Sequence, residues 1–391
     1  MALAERWLLP DGVKEILPPE AEGIESARRR LIDLFISWGY DLVMPPLMEH
    51  LDALLTGAGK DLDLNTFKIV DQLSGRTLGI RADTTPQVAR IDAHRMHVEG
   101  ANRLCYCGSV LHARSTHPLA SRNPLQLGAE LYGHSGVDSD VEVIALMLEA
   151  IRSAGVVQPL SLDLGHVGFF NGLMAAAELS ATQQADYQDM LQRKALPELD
   201  EFVSALELTE DLKKQLLMFP RLHGGIEVLE QAKALFGENA PKALSDALLY
   251  VQQVAERVKA RFADVDLYFD LSELRGYNYH TGIVFAAYSP VYGQALAKGG
   301  RYDNAGADFG RARPATGFSA DLKDLLQLAD KSVVLAEKIL APAGEDVALL
   351  AKIKALRAQG KRVMQVLSGE KPTGYSAELV QDNGQWIVRD L

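Results

Sequence analysis

Leu125-Gln126-Leu127-Gly128-Ala129-Glu130-Leu131-Tyr132-Gly133 alternates without a break. Leu125, Leu127, Ala129 and Leu131 share one face of a strand, and Gln126, Gly128, Glu130 and Tyr132 share the other. A half-buried strand usually sends its polar face to bulk water, but this face carries no Lys, Ser or Thr. It offers an amide, a gap where glycine has no side chain, and a carboxylate. Two readings stand. One is an ordinary solvated face with a glycine bulge. The other is a clasp for a small zwitterion, carboxylate to its ammonium and amide to its other polar atoms.

Upstream, Leu104 to Leu111 is an apolar strand, joined to this one by residues 112–124, a polar loop holding two His and two Arg. The pair predicts a hairpin with a basic tip, which reads either as a solvated turn or as a lid or anion cradle. Ile80 to Thr85 leads through Pro86 into a helix with Val88, Ala89 and Ile91 inward. Nearer the N-terminus, Ile24, Ala27, Leu31, Leu34, Phe35 and Trp38 form one helical stripe, ended by Gly39. Tyr40 to Met44 is a short strand stopped by Pro45 and Pro46. Two prolines cannot sit in a central ladder, so this strand meets an edge, an end or another chain.

Downstream, Asp138 or Ser139 caps a helix with Val141, Ile144, Ala145, Leu148 and Ile151 inward and Gly155 as its stop. Ser161 to Val167 alternates again. Over residues 171–262 strand signals vanish and helical periodicity rules, which predicts a helical insertion. Strands resume at Val265 to Leu274 and Gly282 to Tyr288. Ala297 to Asp303 reads as a glycine turn with the Arg301 guanidinium at its tip, and Ala315 to Leu328 turns from Gly317 into a helix. Residues 326–391 form a short α/β tail, with a helix at Val347 to Gln359 and strands near Arg362 to Leu367 and Trp386 to Val388. Strands in hairpin-like runs, without a βαβ rhythm, argue an α+β domain around an antiparallel sheet. The organisation expected is a core over 1–325, with the 171–262 insertion within it, and a C-terminal domain over 326–391.

The 391 residues allow two or three domains, and 48% hydrophobic with 24% charged residues is ordinary globular composition. A net charge of −12 argues against a protein that grips nucleic acid mainly through phosphates. Cys105 and Cys107 suit neither a disulfide nor a metal site and read as buried reduced thiols of a cytoplasmic protein. No secretory signal is evident, and no apolar run approaches the ~20 residues of a membrane span. Walker, GxGxxG, HExxH and GxSxG signatures are absent, so neither a cofactor nor a metal is expected.

Several blocks, in one order, resemble a single family. Gly39-Tyr40 through Pro46 to Glu49 resembles the first motif of class II aminoacyl-tRNA synthetases, the dimer-forming strand. Arg81-Ala82-Asp83-Thr84-Thr85 is similar to the family's Arg-Pro-Glu-Gly-Thr, and Leu125 to Gly133 to the strand after its second motif. Arg275-Gly276 with Tyr279, and Gly299-Gly300-Arg301-Tyr302-Asp303, resemble the two histidine-specific signatures of histidyl-tRNA synthetases. The resemblance covers residues 8 to 326. It implies that Asp83, Thr85, Gln126 and Glu130 surround histidine, Arg275 faces its carboxylate, and Tyr279 and Tyr302 frame its imidazole. His280 stands where the family has tyrosine.

The departures fall on the ATP side. The second-motif arginine aligns with His112 and the following glutamate with Arg114, although a register slip would give Arg114 the arginine's role. The third motif, Gly-Phe-x-x-Gly-x-Glu-Arg, reads Gly317-Phe318-Ser319-Ala320-Asp321-Leu322-Lys323-Asp324, so Lys323 and Asp324 replace its glutamate and its ATP-binding arginine. A carboxylate ~4 Å from a phosphate charge costs about 4 kcal/mol at an effective dielectric of 20. The tail is also shorter than the family's anticodon-reading domain.

A synthetase-like chain that keeps a histidine pocket and loses activation resembles the regulatory subunits of short-form ATP phosphoribosyltransferases. That resemblance implies no chemistry of its own, and partnership with a short catalytic subunit in a hetero-octamer with four copies of each. It further implies self-dimerisation through the first motif, and feedback inhibition by histidine of the first step of histidine biosynthesis. The alternatives are a divergent histidyl-tRNA synthetase, a synthetase-like module sensing histidine or uncharged tRNA, and a scaffold whose pocket is a relic.

Overall fold

A computed structural model of the chain describes residues 7–56, 60–115, 121–237, 240–274, 279–304, 306–329, 338–370 and 372–391. They fall into two compact units, one over residues 1–17 and 24–329 and one over 18–23 and 330–391.

The first unit is built on a sheet of nine strands among the described residues. In chain order these are β1 (Asp41–Leu42), β2 (Asn102–Ser109), β3 (Leu125–Tyr132), β4 (Ser161–His166), β5 (His223–Gly224), β6 (Asp266–Asp270), β7 (Ile283–Ser289), β8 (Tyr292–Arg301) and β9 (Ala315–Asp321). Their order across the sheet is β1-β2-β3-β9-β8-β7-β4-β6-β5. All neighbours are antiparallel except β1 with β2 and β4 with β6. The proline-stopped strand β1 lies at the edge, where a missing ladder donor costs nothing.

One face of the sheet is dry. Leu127, Ala129 and Leu131 join Val141, Ile144, Leu148 and Ile151 of the helix Val137–Ser153 in one core. Ala27, Leu31 and Phe35 of the helix Glu20–Ser37 add to it, with Phe35 edge-on to Phe318 at 6.0 Å. Each fully buried aliphatic or Phe side chain here stabilises by roughly 1.5–3 kcal/mol. Gly136, not Asp138 or Ser139, precedes the first turn of the Val137–Ser153 helix. Ser139 instead hydrogen-bonds the Gly136 and His134 carbonyls.

Helices Val167–Ala177, Ala181–Gln192, Leu196–Ala205, Glu210–Met218, Glu227–Phe236 and Lys242–Arg261 occupy the region expected to be helical. They are interrupted by β5, two residues that pair with Phe269 and Asp270 and carry too few side chains to leave a strand signal. A small sheet of Met48–His50, Thr77–Ile80 and Phe67–Val70, in that spatial order, precedes the site.

Two expected turns are strands. Gly299 and Gly300 lie inside β8, and Gly317 inside β9. Arg301 is therefore at no tip. It is buried on the helix side of β8, where it grips both carboxylate oxygens of Asp140 at 2.9 and 3.1 Å and the Ser139 hydroxyl at 2.8 Å. Both cysteines are free, with Cys105 buried but Cys107 only half-buried.

The second unit has its own core of Ile339, Ala341, Leu349, Ile353, Val363 and Leu379. Lys338–Ala341 lies between the parallel strands Arg362–Gln365 and Ala377–Asp382, and Gln385–Asp390 pairs antiparallel at the edge. The helix Val347–Ala358 starts at Asp346, whose carboxylate accepts the Leu349 N–H at 2.7 Å. No helix among the described residues is long and apolar enough to cross a membrane.

Candidate functional site

The second face of the β2–β3–β9–β8 sheet is where the polar residues of β3 go; Gln126 is half-buried there, and Glu130 and Tyr132 are shut off from bulk water. Glu130 is 1% exposed and Tyr132 3%. A cavity of about 370 Å³ opens beside them, lined among others by Asp83, Thr85, Glu130, Tyr279, His280 and Tyr302. That volume is at the small end of small-molecule sites.

Glycines make the room. Glu130 pairs with Gly317, and a Cβ there would sit 1.6 Å from the Glu130 carboxylate. Gly317 pairs in turn with Gly300, where a Cβ would press on the His280 ring at 2.8 Å. Gly128 leaves its gap for Tyr106, whose hydroxyl a Cβ would meet at 2.5 Å. The gap read from the sequence is thus filled from β2 by a tyrosine, not left open.

The Tyr302 hydroxyl donates to Glu130 from one side. The Tyr106 hydroxyl donates from the other at 3.2 Å, and lies 3.1 Å from the Thr85 hydroxyl. Gln126 donates to Asp83 at 2.8 Å and accepts the Thr84 N–H at 2.9 Å, while Asp83 also accepts the Thr85 N–H at 3.0 Å. Burial pushes the Glu130 carboxyl up to about 8, against the hydrogen bonds of Tyr302, Thr85 and Tyr106, with Asp83 adding repulsion. An empty site therefore holds Glu130 largely protonated at neutral pH, and a cation arriving there would displace that proton.

Tyr279 stacks on Tyr302 with ring centres 4.9 Å apart, and His280 stands edge-on to Tyr279 at 5.6 Å. The Tyr279 hydroxyl and His280 Nδ1 have no hydrogen-bond partner among the described residues. Burial holds His280 down at about 4, so it is neutral at pH 7. Arg275 lies outside the described residues. Two further residues belong to this cluster and escaped the sequence reading. Tyr106 was hidden in an apolar strand between two cysteines. Lys298 was hidden in the supposed glycine turn, although its i, i+2, i+4 relation to Gly300 and Tyr302 would place all three on one strand face.

The four positions aligned with the synthetase ATP site do not line the cavity. His112 Nε2 lies 3.1 Å from the Ala82 carbonyl oxygen, and burial lowers its pKa. Arg114 is exposed, and its backbone N–H donates to Asn65 at 3.3 Å. Lys323 donates to the Asn123 carbonyl, and Asp324 accepts from the Tyr292 hydroxyl. In the loop beyond His112, Arg122 spends its guanidinium on the carbonyls of His112, Ala113 and Asp11 and lies over the Phe67 ring at 5.3 Å. That residue acts as a strut, not an anion cradle. No group of three or more candidate metal ligands occurs among the described residues.

The family model for histidyl-tRNA synthetase matches residues 12–325, and that for the ATP phosphoribosyltransferase subunit HisZ C-terminal domain matches residues 336–389. An ATP phosphoribosyltransferase regulatory subunit of Alkalilimnicola ehrlichii is 52% identical over 393 residues, covering 99% of this chain and 98% of its own. One of Stutzerimonas stutzeri is 50% identical over the full length of both. The solved structure of an ATP phosphoribosyltransferase regulatory subunit/histidyl-tRNA synthetase from Bacillus halodurans superposes with a TM-score of 0.82 at 27% identity over 94% of each chain. A Nostoc histidyl-tRNA synthetase shares the fold, with a TM-score of 0.77 at 17% identity over 98% of this chain and 97% of its own. With its class II synthetase-like α+β core and its matching C-terminal unit, the chain belongs to the family of ATP phosphoribosyltransferase regulatory subunits.

Proposed function

We propose that this chain has no catalysis of its own and works as the histidine-sensing subunit of a cytoplasmic ATP phosphoribosyltransferase. It binds the short catalytic subunit, four copies of each forming a hetero-octamer, and pairs with its own copy through the first-motif region. It raises the turnover of the first step of histidine biosynthesis. Free histidine in the cavity shifts the assembly toward an inhibited state, by as much as its affinity for the two states differs.

The observation that carries the reading is the contrast between the residues that line the cavity and those at the positions aligned with the ATP site. Glu130, Asp83, Thr85, Tyr279 and Tyr302 line a cavity of amino-acid scale, and Gln126 stands behind it, bonded to Asp83. His112, Lys323 and Asp324, at the ATP-site positions, instead bond to neighbouring protein groups. A carboxylate prefers an ammonium, flat aromatic walls suit an imidazole, and a triphosphate needs cations around it.

The test is turnover of a short catalytic subunit with and without this chain, titrated with histidine. Activation together with inhibition by histidine is expected. No change in either comparison overturns the reading. Histidine-dependent ATP–pyrophosphate exchange, expected to be absent, would instead favour the synthetase alternative.

A further inference from the structure

Two residues of the cavity, Asp83 and Thr85, come from a segment with little to hold it in place by itself. Thr85 opens the helix Thr85–Arg90, Asp83 lies just before it, and both line the cavity. The helix is six residues long, and Thr84 ahead of it makes no side-chain capping bond. A helix so short does not persist on its own propensity, so outside contacts decide where it sits. Its apolar side meets the pocket wall, where Val88 and Ala89 cluster with Tyr106 and Tyr302.

Its polar side is held by residues 45–49, none of which lines the cavity. Arg81 donates its backbone N–H to the Leu47 carbonyl and a guanidinium N–H to that of Pro45, both at 2.9 Å. Gln87 donates to the Pro46 carbonyl at 2.8 Å and to Glu49 at 2.9 Å. Arg90 donates to the same Glu49 oxygen at 2.5 Å. Positions 87 and 90, three apart, share one helix face, so a single carboxylate fixes how the helix is turned about its axis. Glu49 is the only hydrogen-bond partner of the Arg90 guanidinium among the described residues. The pair is withdrawn from water, with side-chain exposures of 10% for Glu49 and 22% for Arg90, and an ion pair so placed is costly to break. Asp83 and Thr85 thus stand between two anchors, Arg81 before them in the chain and Gln87 with Arg90 after them, all bound to the same short segment.

We propose, on the histidine reading above, that Glu49 is a positioning residue of the amino-acid pocket. It touches no ligand. By gripping Gln87 and Arg90 it sets the angle at which Asp83 and Thr85 face the bound amino acid.

Calorimetric titration of the full chain with histidine, paired with thermal melts, tests it. Glu49→Ala should weaken histidine about tenfold, the worth of one well-aligned hydrogen bond to a charged group. Arg90→Met should do the same, and the double variant should be no worse than either single one, because both cut one constraint. Glu49→Gln keeps the volume and one acceptor oxygen, carries the test if Glu49→Ala does not fold, and is expected to lose about threefold. Glu142→Ala is the control. It breaks the Arg103–Glu142 pair, bonded at 2.6 and 2.8 Å away from the cavity, so it should lower Tm and leave histidine affinity within about twofold. A lower Tm in the Glu49 and Arg90 variants with histidine affinity unchanged overturns the proposal, because the pair would then hold the fold alone. So do losses that add in the double variant, or an equal loss in Glu142→Ala. A wild type that binds no histidine removes the histidine reading itself, and this inference with it.

Discussion

Glu130 on β3 and Asp324 on the helix that follows β9 are both carboxylates, yet their surroundings differ in kind. Glu130 is sealed at 1% exposure, gripped by two tyrosines, and faces a cavity that Gly300 and Gly317 help keep open. Asp324 sits half-buried on the helix Leu322–Leu328 and is satisfied by Tyr292. Holding an ionisable group out of water is costly unless something charged arrives to match it. The arrangement around Glu130 is that of a site waiting for a cation. The arrangement around Asp324 is that of a carboxylate already paired within the fold. On the proposed reading, amino-acid recognition and the phosphate side can change independently, because the residues of the two lie on different elements.

The contrast can be broken most severely at Gly317. Gly317→Ala puts a methyl on the Glu130 carboxylate, so histidine affinity should fall at least a hundredfold in calorimetry, and overpacking should cost about 1–3 kcal/mol in chemical denaturation. Removing the carboxylate itself, Glu130→Gln, should cost about 1.5–3 kcal/mol of histidine binding, roughly ten- to a hundredfold.

The same variant should change the pH dependence of stability. Folding raises the Glu130 pKa from 4.5 to about 8, so the folded protein keeps a proton that the unfolded chain gives up. That contribution is complete below the unfolded value and is lost as pH rises through the folded one. Wild-type stability should therefore decline relative to Glu130→Gln between about pH 4.5 and 8, by on the order of a few kcal/mol, read as a falling Tm. Parallel Tm curves would show that Glu130 is ionised in the empty protein.

At the other end of the scale, Asp324→Ala should shift histidine affinity less than twofold, since Asp324 does not line the cavity. Arg122→Ala should loosen the 112–124 loop by about 1 kcal/mol, through lost hydrogen bonds to carbonyls, and leave histidine binding unchanged.

Much of this was legible in the sequence where side chains alternate. The period-2 runs at 125–132 and 161–166 announced β3 and β4, and the apolar stripe of Ile24, Ala27, Leu31 and Phe35 announced a helix that packs on them. The alternation of β3 also singled out Gln126 and Glu130, because a polar face without Lys, Ser or Thr is unusual for a solvated strand.

Legibility failed where glycine does two jobs. Gly299, Gly300 and Gly317 carry the signature of turns, but they sit in strands because neighbouring side chains approach the backbone too closely for a Cβ. That misreading put Arg301 at a tip when it anchors Asp140, and it hid Lys298. Tyr106 was lost for a different reason. Nothing within its own strand signals that its hydroxyl crosses to Glu130 on the next strand, a contact set by register alone.

The claim that regulation runs through this cavity is tested most directly by turnover of the short catalytic subunit as histidine is titrated, with either the wild-type chain or Glu130→Gln in the assembly. Inhibition by histidine with the wild type, moved to at least tenfold higher histidine by Glu130→Gln while activation without histidine is preserved, is the expected result. Identical inhibition curves for the two assemblies would contradict it and place the effector elsewhere.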